Sequence, residues 1–190
     1  MWAATQGLAT GSARSAIAST AWIDDGLGAL LAVLEQRSAL ANTLVIVTSD
    51  NGWAKGTTYE MGARVPLFMR YPQEIAAGTI FGSTILASLI DIAPTVLDYA
   101  GVGASAAAAY GSDGVSLRTL LSGASTLLTR SDGGVFIEMG FDRAVVTAQY
   151  KMHSVGEGAF ANVLAQTTVA SKYPSWHVAT QLYDLNADGG

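Results

Sequence analysis

The chain contains no cysteine. That excludes disulfides, thiolate metal sites and a cysteine nucleophile, and it says nothing about compartment. Charge is scarce as well: 13% of the 190 residues are Asp, Glu, Lys or Arg, where roughly a quarter is usual. So lean a surface is expected to lie partly against something else. There are only three lysines, Lys55, Lys151 and Lys172, no basic cluster, and a formal net charge of -5, which excludes nucleic acid as a partner. No uninterrupted apolar run approaches the roughly 18 residues of a membrane span. The best candidate, residues 80–97, is broken by Ser83, Ser88, Asp91 and Pro94, so no span is expected. Residues 1–15 are small and polar and lack the apolar core of a signal peptide. No pattern specifies an oligomeric state, and no internal repeat occurs.

What is present reads as α/β. The length suffices for one ordinary domain with a sizeable core. Ile23, Leu27, Leu30 and Leu34 recur at helical spacing, predicting a helix over 13–36 that Gln36-Arg37-Ser38 breaks. Leu44-Val45-Ile46-Val47 is a continuous apolar, β-branched run, the pattern of a strand buried on both faces of a parallel sheet. Pro66 to Tyr71 reads as a second strand. Asp91 is positioned to cap a helix to about Ala100, with Pro94 in its first turn and Gly101 past its end. Val115 to Leu121 reads as a short helix. Beyond Gly134, Val135-Phe136-Ile137, Ala144 to Lys151 and Leu182 to Leu185 predict strands of a small antiparallel sheet.

In open α/β sheets ligands gather at the carboxyl ends of strands. Here that position is Asp50-Asn51-Gly52. Asp50 and Asn51 offer hard oxygens suited to Ca²⁺ or Mg²⁺, and Gly52 lets the chain turn away. The same residues suit a simple turn in which Asp and Asn bond their own backbone. Calcium takes roughly 6–8 oxygens, so any metal site needs further ligands. Lys55 follows in Lys55-Gly56-Thr57-Thr58-Tyr59-Glu60. Its ammonium suits a sulfate or phosphate oxygen, and a solvated loop lysine is the alternative. Arg64 is spaced to pair with Glu60, four residues earlier.

Several stretches, in order, resemble the sulfatase family. Thr43 to Gly52 resembles the sulfatase strand ending in its metal-binding Asp-Asn. Lys55 to Glu60, with Gly62 and Arg64-Val65-Pro66, is similar to the segment carrying its substrate lysine. Asp91-Ile92-Ala93-Pro94-Thr95 is similar to its helix start, and Ala148-Gln149-Tyr150-Lys151 and Leu182-Tyr183-Asp184-Leu185 to its carboxy-terminal sheet. The resemblance implies an alkaline-phosphatase-like α/β fold, with a parallel sheet flanked by helices and a small carboxy-terminal antiparallel sheet. It places the catalytic α/β part at 1–125 and a β-rich subdomain at 126–190. It implies a divalent cation, usually calcium, held partly by Asp50 and Asn51, and Lys55 as the catalytic, substrate-binding cation at a sulfated small molecule or glycan. Full-length relatives are secreted, periplasmic or lysosomal.

The chain departs from that pattern in three ways. The family's nucleophile is a formylglycine made from Cys or Ser in a Cys/Ser-x-Pro-x-Arg motif. Here the residues two before the prolines are Arg64, Arg70, Ile92 and Lys172, so formylglycine is not possible in this chain and is expected in preceding sequence. The amino-terminal Asp-Asp ligands have no counterpart; Asp24-Asp25 lies mid-helix. Only Trp53 and Ala54 separate Gly52 from Lys55, a shorter loop than the family's. His153 and His177 match no catalytic histidine and read as structural or exposed. The resulting readings are part of a sulfatase, a catalytically inactive sulfatase-like binding module, or a phosphatase or phosphonate hydrolase of the same superfamily. If strands are missing, Leu44–Val47 should show an open apolar edge.

Overall fold

The helical periodicity of residues 13–36 becomes one long helix, α1 (Gly11–Gln36). It ends in a Schellman arrangement: the Ser38 N–H donates to the Glu35 carbonyl (2.8 Å) and the Ala39 N–H to the Leu34 carbonyl (2.9 Å). Ser38 takes the left-handed conformation there, φ 54°, a place usually held by glycine. A computed structural model describes residues 11–52, 57–82, 84–102, 111–140, 142–154 and 180–186. Contacts divide the chain into one unit of Met1–Leu44 with Tyr71–Gln73, and a second of Val45–Arg70 with Glu74–Gly190.

In the first unit, Leu27, Leu31 and Leu34 of α1 are half-buried, whereas Trp22, Ile23 and Leu30 are exposed. By length and composition the stretch Ala16–Gln36 would suffice to cross a membrane. The sequence reading considered only uninterrupted apolar runs and did not single out this helix. Asp24 and Asp25, adjacent at mid-helix, would each cost several kcal/mol in lipid, about 2.5–3.5 on insertion scales. A 3-10 turn, Leu40–Asn42, follows. The Gln73 amide holds it through the Ala41 carbonyl (3.2 Å) and the Asn42 side chain (3.1 Å).

The second unit opens with β1 (Val45–Thr48), which pairs antiparallel with β2 (Leu67–Arg70), Val45 opposite Arg70 and Thr48 opposite Leu67. The parallel neighbour inferred for this run is not found among the described residues. An apolar run reports burial rather than strand direction, and here the chain folds back through a short helix, α2 (Glu60–Ala63), to its own next strand. Val45, Ile46 and Val47 are only half-buried, and β2 is the one strand beside β1 among the described residues.

Helix α3 (Ile92–Tyr99) continues a 3-10 turn, Leu89–Asp91. Asp91 does not cap α3 with its side chain, as the sequence suggested. Its carboxylate turns back instead, accepting from the Ser88 N–H (2.7 Å), the Val115 N–H (2.9 Å) and Arg130. Arg130 also donates to the Leu86 carbonyl (3.1 Å). Asp91 is fully buried, and the pair is tolerable there because both ions have hydrogen-bond partners. Gly101, φ 75°, ends α3 as expected. The helix α4 (Arg118–Leu121) supplies Leu120 and Leu121 to a small core with Leu117.

Strands β3 (Val135–Met139), β4 (Asp142–Val146), β5 (Tyr150–Ser154) and β6 (Thr180–Asp184) form an antiparallel sheet in that order. The expected strand from Ala144 to Lys151 is broken in two, because the Thr147 hydroxyl accepts the Tyr150 N–H (2.9 Å) and closes a turn. One face carries Phe136, Val145, Met152 and Leu182 in cross-strand register, with Phe136, Met152 and Leu182 exposed. The opposite face carries Ala144, Lys151 and His153, all buried.

Candidate functional site

The end of β1 is shaped by two hydroxyls. Thr48 Oγ1 donates to the Pro66 carbonyl (2.8 Å), and Ser49 Oγ donates to the Asn51 carbonyl (2.9 Å). These bonds close the turn without drawing on the side chains of Asp50 and Asn51. Among the described residues the Asp50 carboxylate meets only Ser49 Oγ, at 3.5 Å, and the Asn51 amide has no partner. Among the described residues, no backbone group of the turn takes up these side-chain oxygens. No cluster of three or more His, Cys, Asp or Glu able to hold a metal occurs among the described residues. Asp50 and Asn51 thus fit a hard cation as part of a ligand set, well short of all of it.

Gly52 acts by close approach rather than by a sharp turn. Its N–H donates to the Gly62 carbonyl (2.8 Å), and a Cβ on it would stand 2.2 Å from the Met61 carbonyl oxygen. This bond ties the segment after β1 to α2. Residues 53–56, and with them Lys55, lie outside the described residues, as does His177.

Beyond Thr57, the residues Thr58, Tyr59 and Glu60 each seat on the carboxy-terminal sheet. Thr58 Oγ1 lies 3.0 Å from His153 Nδ1, both residues buried. The Tyr59 ring stacks on His153 at 4.2 Å between centroids and 19° between planes, and its hydroxyl donates to Gln181 Oε1. Glu60 Oε1 accepts from Lys151 Nζ at 2.6 Å. Arg64 is therefore not the ion-pair partner of Glu60; it meets Glu60 only through its backbone N–H, 2.9 Å from the Glu60 carbonyl.

The receiving surface is a four-residue tile. Lys151 and His153 point to the same side of β5, two residues apart, and pair in register with Tyr183 and Gln181 of β6. Tyr183 sets its edge against His153 (5.7 Å, 86°) and donates to Gln181 Oε1 (2.6 Å). Burial lowers the His153 pKa to about 4, the Lys151 ammonium pushing the same way and Glu60 opposing. The ring is thus neutral at physiological pH. Burial, then Tyr183, raises the Tyr59 phenol.

Sequence reasoning placed Asp50 and Asn51 at the end of β1, and it read His153 as structural or exposed, where the structure shows it buried. It missed Lys151, Gln181 and Tyr183 as partners of the 58–60 segment. The signal available was the alternation of β5, which puts Lys151 and His153 on one face and Met152 on the other.

A family model described as Sulfatase matches residues 4–102. The N-acetylglucosamine-6-O-sulfatase of Bacteroides thetaiotaomicron is 38% identical over 97 residues, 47% of this chain and 17% of that protein. The human N-acetylglucosamine-6-sulfatase is 37% identical over 194 residues, 87% of this chain and 34% of the relative. Human arylsulfatase A is 31% identical, over 88% of this chain and 36% of its own. The chain thus spans about a third, or less, of these relatives. Among solved structures, one in complex with its substrate D-glucosamine-2-N,6-O-disulfate superposes with a TM-score of 0.67 at 25% identity, covering 97% of this chain and 38% of that one. A 2-O GAG sulfatase superposes at 0.64 and 20% identity, covering 88% of this chain and 34% of its own, a likeness of fold alone. The architecture is accordingly that of the alkaline-phosphatase-like fold, with its small carboxy-terminal antiparallel sheet. With a family model over half of its length, the chain belongs to the sulfatase family.

Proposed function

We propose that this chain supplies one wall of a site that hydrolyses sulfate esters, with sulfated glycans as the substrate class. The supporting observation is the turn after β1, where, among the described residues, the Asp50 carboxylate meets only the Ser49 hydroxyl at 3.5 Å and the turn is closed by other groups. In this reading Asp50 and Asn51 hold a divalent cation, most simply Ca²⁺, together with ligands from elsewhere. Lys55, five residues beyond Asp50 in the chain, supplies a cation to a sulfate oxygen. The bound cation would polarise the sulfate. Charge develops on the ester oxygen as the sulfur–oxygen bond breaks, and a fixed ammonium is worth most at that moment. The two parts, 1–125 and 126–190, then act as a catalytic portion and a β-rich support.

The nucleophile has no source in this chain, where neither a cysteine nor a serine stands two residues before any proline. Purified chain with calcium is expected to show no turnover of an aryl sulfate, while binding calcium through Asp50 and Asn51. Hydrolysis by the chain alone would overturn the assignment of the nucleophile to other sequence. In an enzyme completed by the missing motif, Lys55→Ala should lower kcat by about 10²-fold or more. An unchanged kcat there removes Lys55 from the reaction.

A second reading, an inactive module that binds a sulfated ligand, is favoured by the short spacing between Gly52 and Lys55. It is distinguished by restoring the nucleophile motif in cis, which yields turnover only under the first reading.

A further inference from the structure

We propose that Asn51 is a site of self-modification. Its side-chain amide is lost through attack by the Gly52 backbone nitrogen, and the Gly52–Gly62 hydrogen bond is the gate that holds this reaction back in the folded chain. The inference goes beyond the cation reading above; only its last consequence rests on that reading.

The sequence singles out one asparagine. Of the four, Asn42, Asn51, Asn162 and Asn186, only Asn51 precedes a glycine. Attack by the next backbone nitrogen on an asparagine side chain closes a cyclic imide, and a Cβ on the attacking residue crowds that approach. Glycine has none, and it reaches backbone conformations closed to other residues. In the reaction the Gly52 nitrogen gives up its proton and bonds to Asn51 Cγ. The Cγ–Nδ2 bond breaks, and the amide leaves as ammonia. Water then opens the imide at either carbonyl, leaving aspartate or isoaspartate. Water is the only co-reactant, and nothing is oxidised or reduced.

The structure adds a promoter and a restraint to the same peptide unit. Ser49 Oγ donates to the Asn51 carbonyl (2.9 Å), the carbonyl of the very peptide whose nitrogen attacks. That bond draws electron density from the nitrogen and makes its proton more acidic. The restraint lies on the other side. The Gly52 N–H donates to the Gly62 carbonyl (2.8 Å), and a Cβ on Gly52 would stand 2.2 Å from the Met61 carbonyl oxygen. The backbone of α2 therefore fills the space into which this peptide would have to turn. While the bond is made, the nitrogen keeps both its proton and its direction. The reaction runs through the fraction of chains in which Gly52 and Gly62 have parted, a local opening that also frees the Gly52 amide for hydrogen exchange.

The product carries a carboxylate beside Asp50 where Asn51 carried an amide. Calcium affinity is tuned by ligand charge. On the cation reading, conversion to aspartate therefore tightens calcium binding.

The test incubates the purified chain at neutral and mildly alkaline pH, in buffer and in denaturing urea. Mass spectrometry follows the amide-to-acid mass gain in the tryptic peptide that carries Asn42 and Asn51, with fragmentation separating the two. In urea the gain should appear at Asn51 well before Asn42, whose neighbour Thr43 is β-branched, and it should quicken with pH. In buffer it should be slower by at least about tenfold, the effect of one net hydrogen bond. Hydrogen exchange at the Gly52 amide measures the gate independently, and its protection should be of the same size as the slowing. Asn51→Gln, whose side chain is one carbon longer, should lose the gain. Absence of the gain at Asn51 in urea would overturn the proposal by removing the reaction. Equal rates in buffer and in urea, or a slowing unrelated to protection at Gly52, would overturn it by removing the gate. Asn51→Asp, the product made directly, is titrated with calcium beside wild type. Tighter binding supports the consequence drawn for the cation. Unchanged binding removes Asn51 from the cation site, and the mass and exchange data still decide the modification.

Discussion

Thr58 Oγ1 and His153 Nδ1, 95 residues apart in the chain, meet at 3.0 Å in a place closed to solvent. Around that contact the segment Thr58-Tyr59-Glu60 rests on the carboxy-terminal sheet. Tyr59 and Glu60 extend the junction to Gln181 and Lys151.

The junction should be acid-labile. The His153 pKa lies at about 4 in the folded protein, below the ordinary 6.5. The unfolded chain therefore takes up a proton at higher pH than the folded chain. Stability is unaffected above about pH 6.5 and falls as pH drops from there toward 4, by about 3 kcal/mol in total. Urea denaturation at pH 7, 5.5 and 4 should show this loss, and His153→Asn should remove most of its pH dependence. A variant with the wild-type dependence would assign the acid lability to other groups.

The Lys151–Glu60 pair should respond asymmetrically. The Lys151 side chain is 3% exposed and that of Glu60 48%. Glu60→Ala strands a buried ammonium and should cost about 2–3 kcal/mol. Lys151→Met leaves a half-solvated carboxylate and an apolar chain of similar volume, costing less than about 1 kcal/mol. Denaturation midpoints check the order of the two; the reverse order would contradict the account of the pair.

Gly52 should tolerate no side chain. The Cβ of Gly52→Ala would lie 2.2 Å from the Met61 carbonyl oxygen, a backbone atom that cannot rotate aside. The expected cost is about 2–3 kcal/mol, read by thermal denaturation, together with faster amide exchange at Gly52. A variant as stable as wild type would mean that the two backbones do not approach so closely.

Ser38→Gly should stabilise the chain. The serine adopts φ 54° at the end of α1, a conformation that costs a residue with a Cβ about 1 kcal/mol relative to glycine. A rise in stability of about 0.5–1 kcal/mol is expected, and a fall would contradict the capping geometry.

Local rules carried the sequence reading where structure is local. The spacing of Ile23, Leu27, Leu30 and Leu34 announced α1, and Gly101 announced the end of α3, because both depend on residues within a turn or two. The direction of β1 was not legible: Val45-Ile46-Val47 records how apolar the surroundings are, not which strand lies beside it. The break at Thr147 was hidden because its cause is one hydroxyl bond inside a stretch that alternates like a strand. Asp91 carries every mark of a helix cap, yet two of its partners, Val115 and Arg130, come from far along the chain. The position of Asp50 and Asn51 just past a strand was legible because the apolar run of β1 stops there. The tile of Lys151, His153, Gln181 and Tyr183 was not, because it depends on the register of β5 with β6.

The proposed function requires Asp50 and Asn51 to take a divalent cation and Lys55 to take a sulfate oxygen. Calorimetric titration of the chain with calcium, then with sulfate, tests it most directly. Asp50→Asn should weaken calcium binding by about tenfold or more, through loss of a charged ligand, and Lys55→Ala should abolish sulfate binding while leaving calcium binding in place. Calcium affinity unchanged in Asp50→Asn, or sulfate binding indifferent to both substitutions, would contradict the claim.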